Sequence, residues 1–188
     1  MLEGMKKKTL LRVGLVGVLV AWLATGLAAC SPAFNWRDVQ PDNTALHLLL
    51  PCKPDVAQQT VPMGGVPTLL TVMGCDAGGS TFAVAVADMG NADARVDVLN
   101  QWQRATLSGI KADAAGSGVQ RVPAKVPGAV GTPAPVLVKA LGQRADGSAI
   151  HSHALYFAHG TQVFQLVMLA STIAPEAEEM FFSSVKLR

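Results

Sequence analysis

The sequence predicts a single α+β domain, an antiparallel β-sheet with two helices packed on it. Three observations carry that prediction. Short runs of alternating or continuous apolar residues are separated by Gly-rich and Asp-Gly turns, as hairpins require. One long segment, residues 91–113, changes to helical spacing. A second helix is announced near the end by Pro175 followed by glutamates. Strands with segregated helices, and no strict β-α alternation, indicate an α+β sandwich.

Phe34 to Val39 reads as a short first strand and Thr44 to Leu50 as a stronger one, stopped by Pro51 and Pro54. Val56 to Met63 and Val66 to Met73 form a hairpin about Gly64-Gly65. Asp76-Ala77-Gly78-Gly79 then turns the chain into Ser80 to Ala87, where Phe82, Val84 and Val86 alternate with alanines. Such alternation suits a sheet whose second face lies under a helix. Over residues 91–113, Val98, Leu99, Trp102, Ala105, Thr106 and Ile110 fall on one side. Asn91 or Asp93 is placed to cap the start, and Gly116 and Gly118 to end the helix.

Residues 119–135 contain Pro123, Pro127, Pro133 and Pro135 and therefore read as loop or interrupted edge strand. Val136 to Gln143, Ser148 to Ala158 and Thr161 to Ala170 make an antiparallel meander, turned at Ala145-Asp146-Gly147 and His159-Gly160. Pro175 opens the last helix, with Ala177, Met180, Phe181 and Ser184 or Val185 as its apolar stripe, and Val185-Lys186-Leu187 closes the chain.

Ahead of this domain lies a leader. Lys6, Lys7, Lys8 and Arg12 precede and enter an apolar run from Leu10 to Leu23, and Leu27-Ala28-Ala29-Cys30 follows. A basic end that stays cytoplasmic and an apolar segment that enters the bilayer form a signal peptide. Leu27-Ala28-Ala29-Cys30 resembles the lipobox of bacterial lipoproteins. The resemblance implies a diacylglyceryl group on Cys30 and cleavage before it. Residues 1–29 are then the signal peptide, 30–33 a lipidated tether, and 34–188 one periplasm-facing domain. Two or more acyl chains anchor a protein stably, and one does so only marginally. Ser31 after the cysteine is compatible with export to the outer membrane of a Gram-negative cell. The inner membrane is the alternative site, and an uncleaved membrane anchor, since Leu10 to Ala29 is nearly long enough to span, is the alternative architecture.

Four of the 15 basic side chains and one of the 13 acidic ones, Glu3, lie in the leader, so the rest of the chain is close to neutral. Nothing in that balance attracts nucleic acid. With Cys30 committed to lipid, Cys52 and Cys75 remain as an even pair in an oxidising compartment, which predicts a disulfide tying two strand ends. Two buried free thiols are the alternative. A redox or metal pair lacks the Cys-x-x-Cys spacing and an adjoining ligand cluster.

The order of elements resembles the PsbP-like superfamily, on Leu46-His47-Leu48-Leu49-Leu50-Pro51 early in the domain and Phe181-Phe182-Ser183-Ser184-Val185 in its last helix. That resemblance implies an antiparallel sheet with helices on its faces and transfers no functional residue.

Candidate chemistry is sparse. His151 and His153 stand two apart on a predicted strand and share a face with Leu155 and Phe157. With a third converging ligand such a pair binds zinc or copper; otherwise it is a pair of solvated or hydrogen-bonded strand histidines. Gly-x-Ser-x-Gly, His-Glu-x-x-His and phosphate-binding Gly-rich motifs are absent. Asp76 reads as a turn residue, and Trp36 and Trp102 as core or interface anchors. The sequence thus predicts a lipid-anchored, non-enzymatic interaction module without cofactor, engaging an envelope protein through a sheet face or the Pro-rich loop. The alternative is a small-ligand or metal carrier using His151 and His153.

Overall fold

Twelve elements follow one another in the computed structural model, which describes residues 33–129, 131 and 133–188. The leader and Cys30 lie outside the described residues. In chain order the elements are β1 (Arg37–Val39), β2 (Leu46–Leu50), β3 (Asp55–Met63), β4 (Val66–Ala77), β5 (Ser80–Asp88), α1 (Arg95–Gly109), β6 (Val119–Pro123), β7 (Val136–Gln143), β8 (Ala149–His159), β9 (Gln162–Ala170), α2 (Pro175–Ser183) and β10 (Lys186–Leu187). Ala33–Arg188 form one compact unit. Neither described helix is long and apolar enough to cross a membrane.

Seven strands make one antiparallel sheet in the order β3-β4-β5-β9-β8-β7-β6. The hairpins β3-β4 and β4-β5 build one half, and the meander β6-β7-β8-β9 builds the other. The two halves meet where β5 pairs with β9, from Ser80↔Ala170 to Asp88↔Gln162. Gly64 and Gly65 both have positive φ, 59° and 83°, which is what a two-residue hairpin turn with right-handed twist demands. β1, β2 and β10 form a separate three-stranded sheet.

The period-2 pattern divides the large sheet into two cores. On one face Ala85, Ala87, Val138, Ala140, Ala154, Tyr156 and Val163 pack under Val98, Leu99 and Leu107 of α1. Small residues on the strands leave room for the helix to lie close. On the other face Phe82, Val84, Val86, Leu155, Phe157, Phe164, Leu166 and Met168 meet Leu46, Leu48 and Leu50 of the small sheet and Ala177 and Phe181 of α2. Large sheet residues and a short helix produce a core assembled from several pieces. Phe82 anchors it, edge-on to both Trp36 and Phe181 at 6.1 and 5.3 Å between ring centroids.

The predicted architecture is thus present as one α+β domain, with local corrections. The long helix runs from Arg95 to Gly109, shorter than the periodic segment. Its N-cap is Ala94, without a side-chain cap, because the Asn91 carboxamide oxygen is spent accepting the Asp93 amide in a local turn. Its chain ends at Gly109, ahead of Gly116 and Gly118, where Lys111 takes positive φ. Leu107 is buried and Ala105 exposed, the reverse of the predicted stripe. On α2, Met180 is likewise exposed. β4 continues through Asp76, which is a strand residue whose carboxylate accepts the Thr81 hydroxyl across the hairpin. Only Gly78-Gly79 turns there, and the Phe34 ring packs where a Gly78 side chain would stand.

Candidate functional site

β7 and β8 run side by side in the register Lys139↔His153 and Leu137↔Leu155. Lys139 and His153 therefore share the face that α2 covers, and α2 lowers Glu178 onto them. The Glu178 carboxylate accepts from Lys139 Nζ at 2.6 Å and from His153 Nδ1 at 2.8 Å. Lys139, His153 and Glu178 are 33%, 12% and 18% exposed, so the cluster is half withdrawn from solvent.

Its protonation follows from that position. Burial pushes the His153 imidazole below its usual value; the Glu178 carboxylate opposes this, while Lys139 and His151 add to it. Burial also raises Glu178, but the bonds from Lys139 and His153 outweigh it and hold the carboxyl below its ordinary range. At neutral pH the permanent ion pair is therefore Lys139–Glu178. His153 is neutral and donates Nδ1–H to the carboxylate, so its contact is a hydrogen bond rather than a salt bridge.

Beside the cluster opens a cleft of about 390 Å³. Ala124, Leu137, Leu155 and Phe182 give it an apolar floor, and Lys125, Glu178 and Glu179 stand at its rim. The Pro-rich segment continues it as a groove past Val126, Pro127, Ala129 and Pro135. That segment is tied down, which its proline content alone did not require. Ala124 N–H donates to the Pro135 carbonyl, Leu187 N–H to the Pro127 carbonyl, and Val126 is buried.

His151 and His153 project on one face as expected and line a shallow depression of about 180 Å³ with Gln120 and Lys139. Among the described residues no three of His, Cys, Asp and Glu converge. The carboxylate at His153 is already held by Lys139. His47 instead approaches Asp38 at 3.5 Å, and His159 lies at the far end of β8. Cys52 and Cys75 are bonded, with Cα atoms 6.0 Å apart. Cys75 sits within β4 and not at a strand end, so the bridge staples the β2–β3 connection to the large sheet. Trp36 packs in the core against Phe82, and Trp102 stands edge-on to Tyr156. A second cleft, of about 270 Å³, lies between α1 and the β3–β4 hairpin beside Trp102.

Lys139 and Glu178 were not singled out by sequence. One sits in a strand and the other in a helix 39 positions later, and no local spacing links them. The available signal was weak: a lysine and two histidines interrupting the same half-buried sheet face require an acidic partner from whatever covers it.

No family model matches the chain, and no curated protein matches it. A crystal structure of a protein of unknown function from Pseudomonas aeruginosa is similar at 13% identity, over 77% of this chain and 88% of that one, with a TM-score of 0.36. A likeness of that strength carries no argument about fold family or role.

Proposed function

We propose that the protein is an envelope lipoprotein, held in the outer membrane by acyl chains on Cys30, whose domain binds a protein partner without chemistry of its own. The tether rests on the basic and apolar leader ending in Leu27-Ala28-Ala29-Cys30. We read the domain as PsbP-like on the residues already quoted, Leu46 to Pro51 and Phe181 to Val185. The observation that carries the binding role is the cleft under α2. It combines an apolar floor with charges of both signs at the rim, and its volume of about 390 Å³ accommodates a few side chains of a partner. Lys139, His153 and Glu178 satisfy one another beside it. The metal-carrier alternative has less support, since among the described residues no third ligand converges on the two histidines.

Two experiments test this reading. Intact mass of the processed protein should show a glyceride-bearing first residue at Cys30; a bare thiol or an unprocessed leader would overturn the tether. A photo-reactive residue replacing Ser183 at the cleft should cross-link one discrete envelope protein, while the same residue replacing Arg104 on α1 should not. Equal or absent cross-linking at the two positions would overturn the binding site.

A further inference from the structure

The large sheet has two edges of different character. β6 is five residues long, carries Arg121 and ends in Pro123. β3 is nine residues long, and after Asp55 it is uncharged throughout: Val56-Ala57-Gln58-Gln59-Thr60-Val61-Pro62-Met63. Among the described residues β3 pairs with β4 alone, and residues 55–60 are exposed on both faces. An edge this long and uncharged is a template for another strand unless something covers or interrupts it.

The hairpin register shows which backbone groups are on offer. Met63 and Val66 flank the two-residue turn, so they exchange both backbone bonds and point inward. Val61, Gln59, Ala57 and Asp55 alternate with Met63 and also face β4. Val56, Gln58, Thr60 and Pro62 turn their backbone groups outward. Pro62 has no N–H to offer, and neither has Pro54, the preceding position of the same parity. The open window is Val56, Gln58 and Thr60, bounded by a proline at each end and symmetric about Gln58.

We propose that this edge pairs with itself, joining two copies antiparallel about a two-fold axis at Gln58. In that register Gln58 faces Gln58, Val56 faces Thr60, and Pro54 faces Pro62. The donors missing from one copy thus lie opposite the donors missing from the other, and about six backbone bonds form between the remaining pairs. Lys53 and Asp55 fall opposite Met63 and Val61, so no like charges meet. On the face shared with α2, the side chains continue as a row. Leu69, 54% exposed, neighbours Thr60; Thr60 meets the partner's Val56; and Val56, 59% exposed, has Met73 on its other side. Self-pairing places a partner residue beside the exposed Val56 of both copies in one step, as an isologous interface does. The palindromic window is what selects a second copy over an unrelated strand.

Single-cysteine variants of the full chain in its own membranes, treated with a short bismaleimide, test the register; the wild type supplies the blank. Gln58→Cys should give a covalent dimer. Thr60→Cys alone should give none, because Thr60 stands far from its own copy along the antiparallel pair. Co-expressed Val56→Cys and Thr60→Cys chains should give the mixed dimer. These positions are exposed, and a thermal melt unchanged from wild type checks that each variant folds. Thr60→Pro combined with Gln58→Cys should abolish the dimer. Absence of the Gln58 dimer, equal linking at Thr60, or linking to a different protein would each overturn the proposal. None of these outcomes bears on the cleft or on Cys30.

Discussion

The two faces of the seven-stranded sheet are covered in different ways. One lies under a single 15-residue helix, α1. Its buried polar groups close on each other: the Gln165 side-chain amide donates to both Thr106 Oγ1 and Tyr156 Oη at 2.8 Å. That network is neutral, and burial pushes the Tyr156 hydroxyl above the usual phenol range. The other face is covered by a nine-residue helix, a three-stranded sheet and the Pro-rich segment. Pieces leave seams, and the seam between α2 and the Pro-rich segment is the cleft with its ionic neighbour. Both covers leave a cleft, but the one at the α2 seam is larger, about 390 against 270 Å³, and it alone has lysine and glutamate side chains in its lining. The proposed recognition lies on the α2 face, whereas both faces contribute stability.

The comparison breaks most sharply at Phe181, which joins α2 to Phe82 and is fully buried. Phe181→Ala should cost about 3–5 kcal/mol in urea unfolding, since the pieces around the cavity have separate attachments and cannot all collapse into it. Next in size is the Cys52–Cys75 bridge, which fastens the small sheet's connection to β4. Replacing both cysteines with serine should cost about 3 kcal/mol for a loop of 23 residues, and the cleft face should gain amide exchange before the α1 face does.

A pH series separates the two polar networks. His153 has its pKa lowered from 6.5 in the fold, chiefly by burial, so the folded state prefers the neutral ring. Its contribution is complete above pH 6.5 and is lost as pH falls through the lowered value. The carboxyl of Glu178, lowered from 4.5, adds a second loss of the same sign at more acid pH. Urea midpoints should therefore decline below pH 6.5, and His153→Gln should flatten that first decline. The neutral Gln165–Tyr156–Thr106 network should be indifferent to this range. Tyr156→Phe should cost only about 1 kcal/mol, equally at pH 5 and pH 8.

Much of this division was legible in the sequence. Alanines alternating with Phe82, Val84 and Val86 announced a small-residue face for a helix and a bulky face for something else. The meander from Val136 to Ala170 and its Asp-Gly turn were visible for the same reason, since period-2 patterning and turn chemistry are local. The limits of α1 were less legible. Asn91 carries cap chemistry but satisfies its own turn, and tertiary burial of Leu107, not helical spacing, decided which residue faces the sheet. The cleft could not be read at all. It depends on where a helix from the end of the chain lands on strands formed earlier, and no spacing encodes the meeting of Lys139, His153 and Glu178. Of the predicted site residues, Cys52 and Cys75 needed only their even number and the expectation of an oxidising compartment, whereas the contact of His153 waited on its distant carboxylate.

The most direct measurement is proximity labelling in the native envelope with matched bulky substitutions on the two faces. Ala124→Trp fills the cleft beside α2, and Ala105→Trp fills the cleft beside α1. The account predicts that Ala124→Trp removes the labelled partner while Ala105→Trp leaves it in place. A partner retained in Ala124→Trp, or lost only in Ala105→Trp, would contradict it.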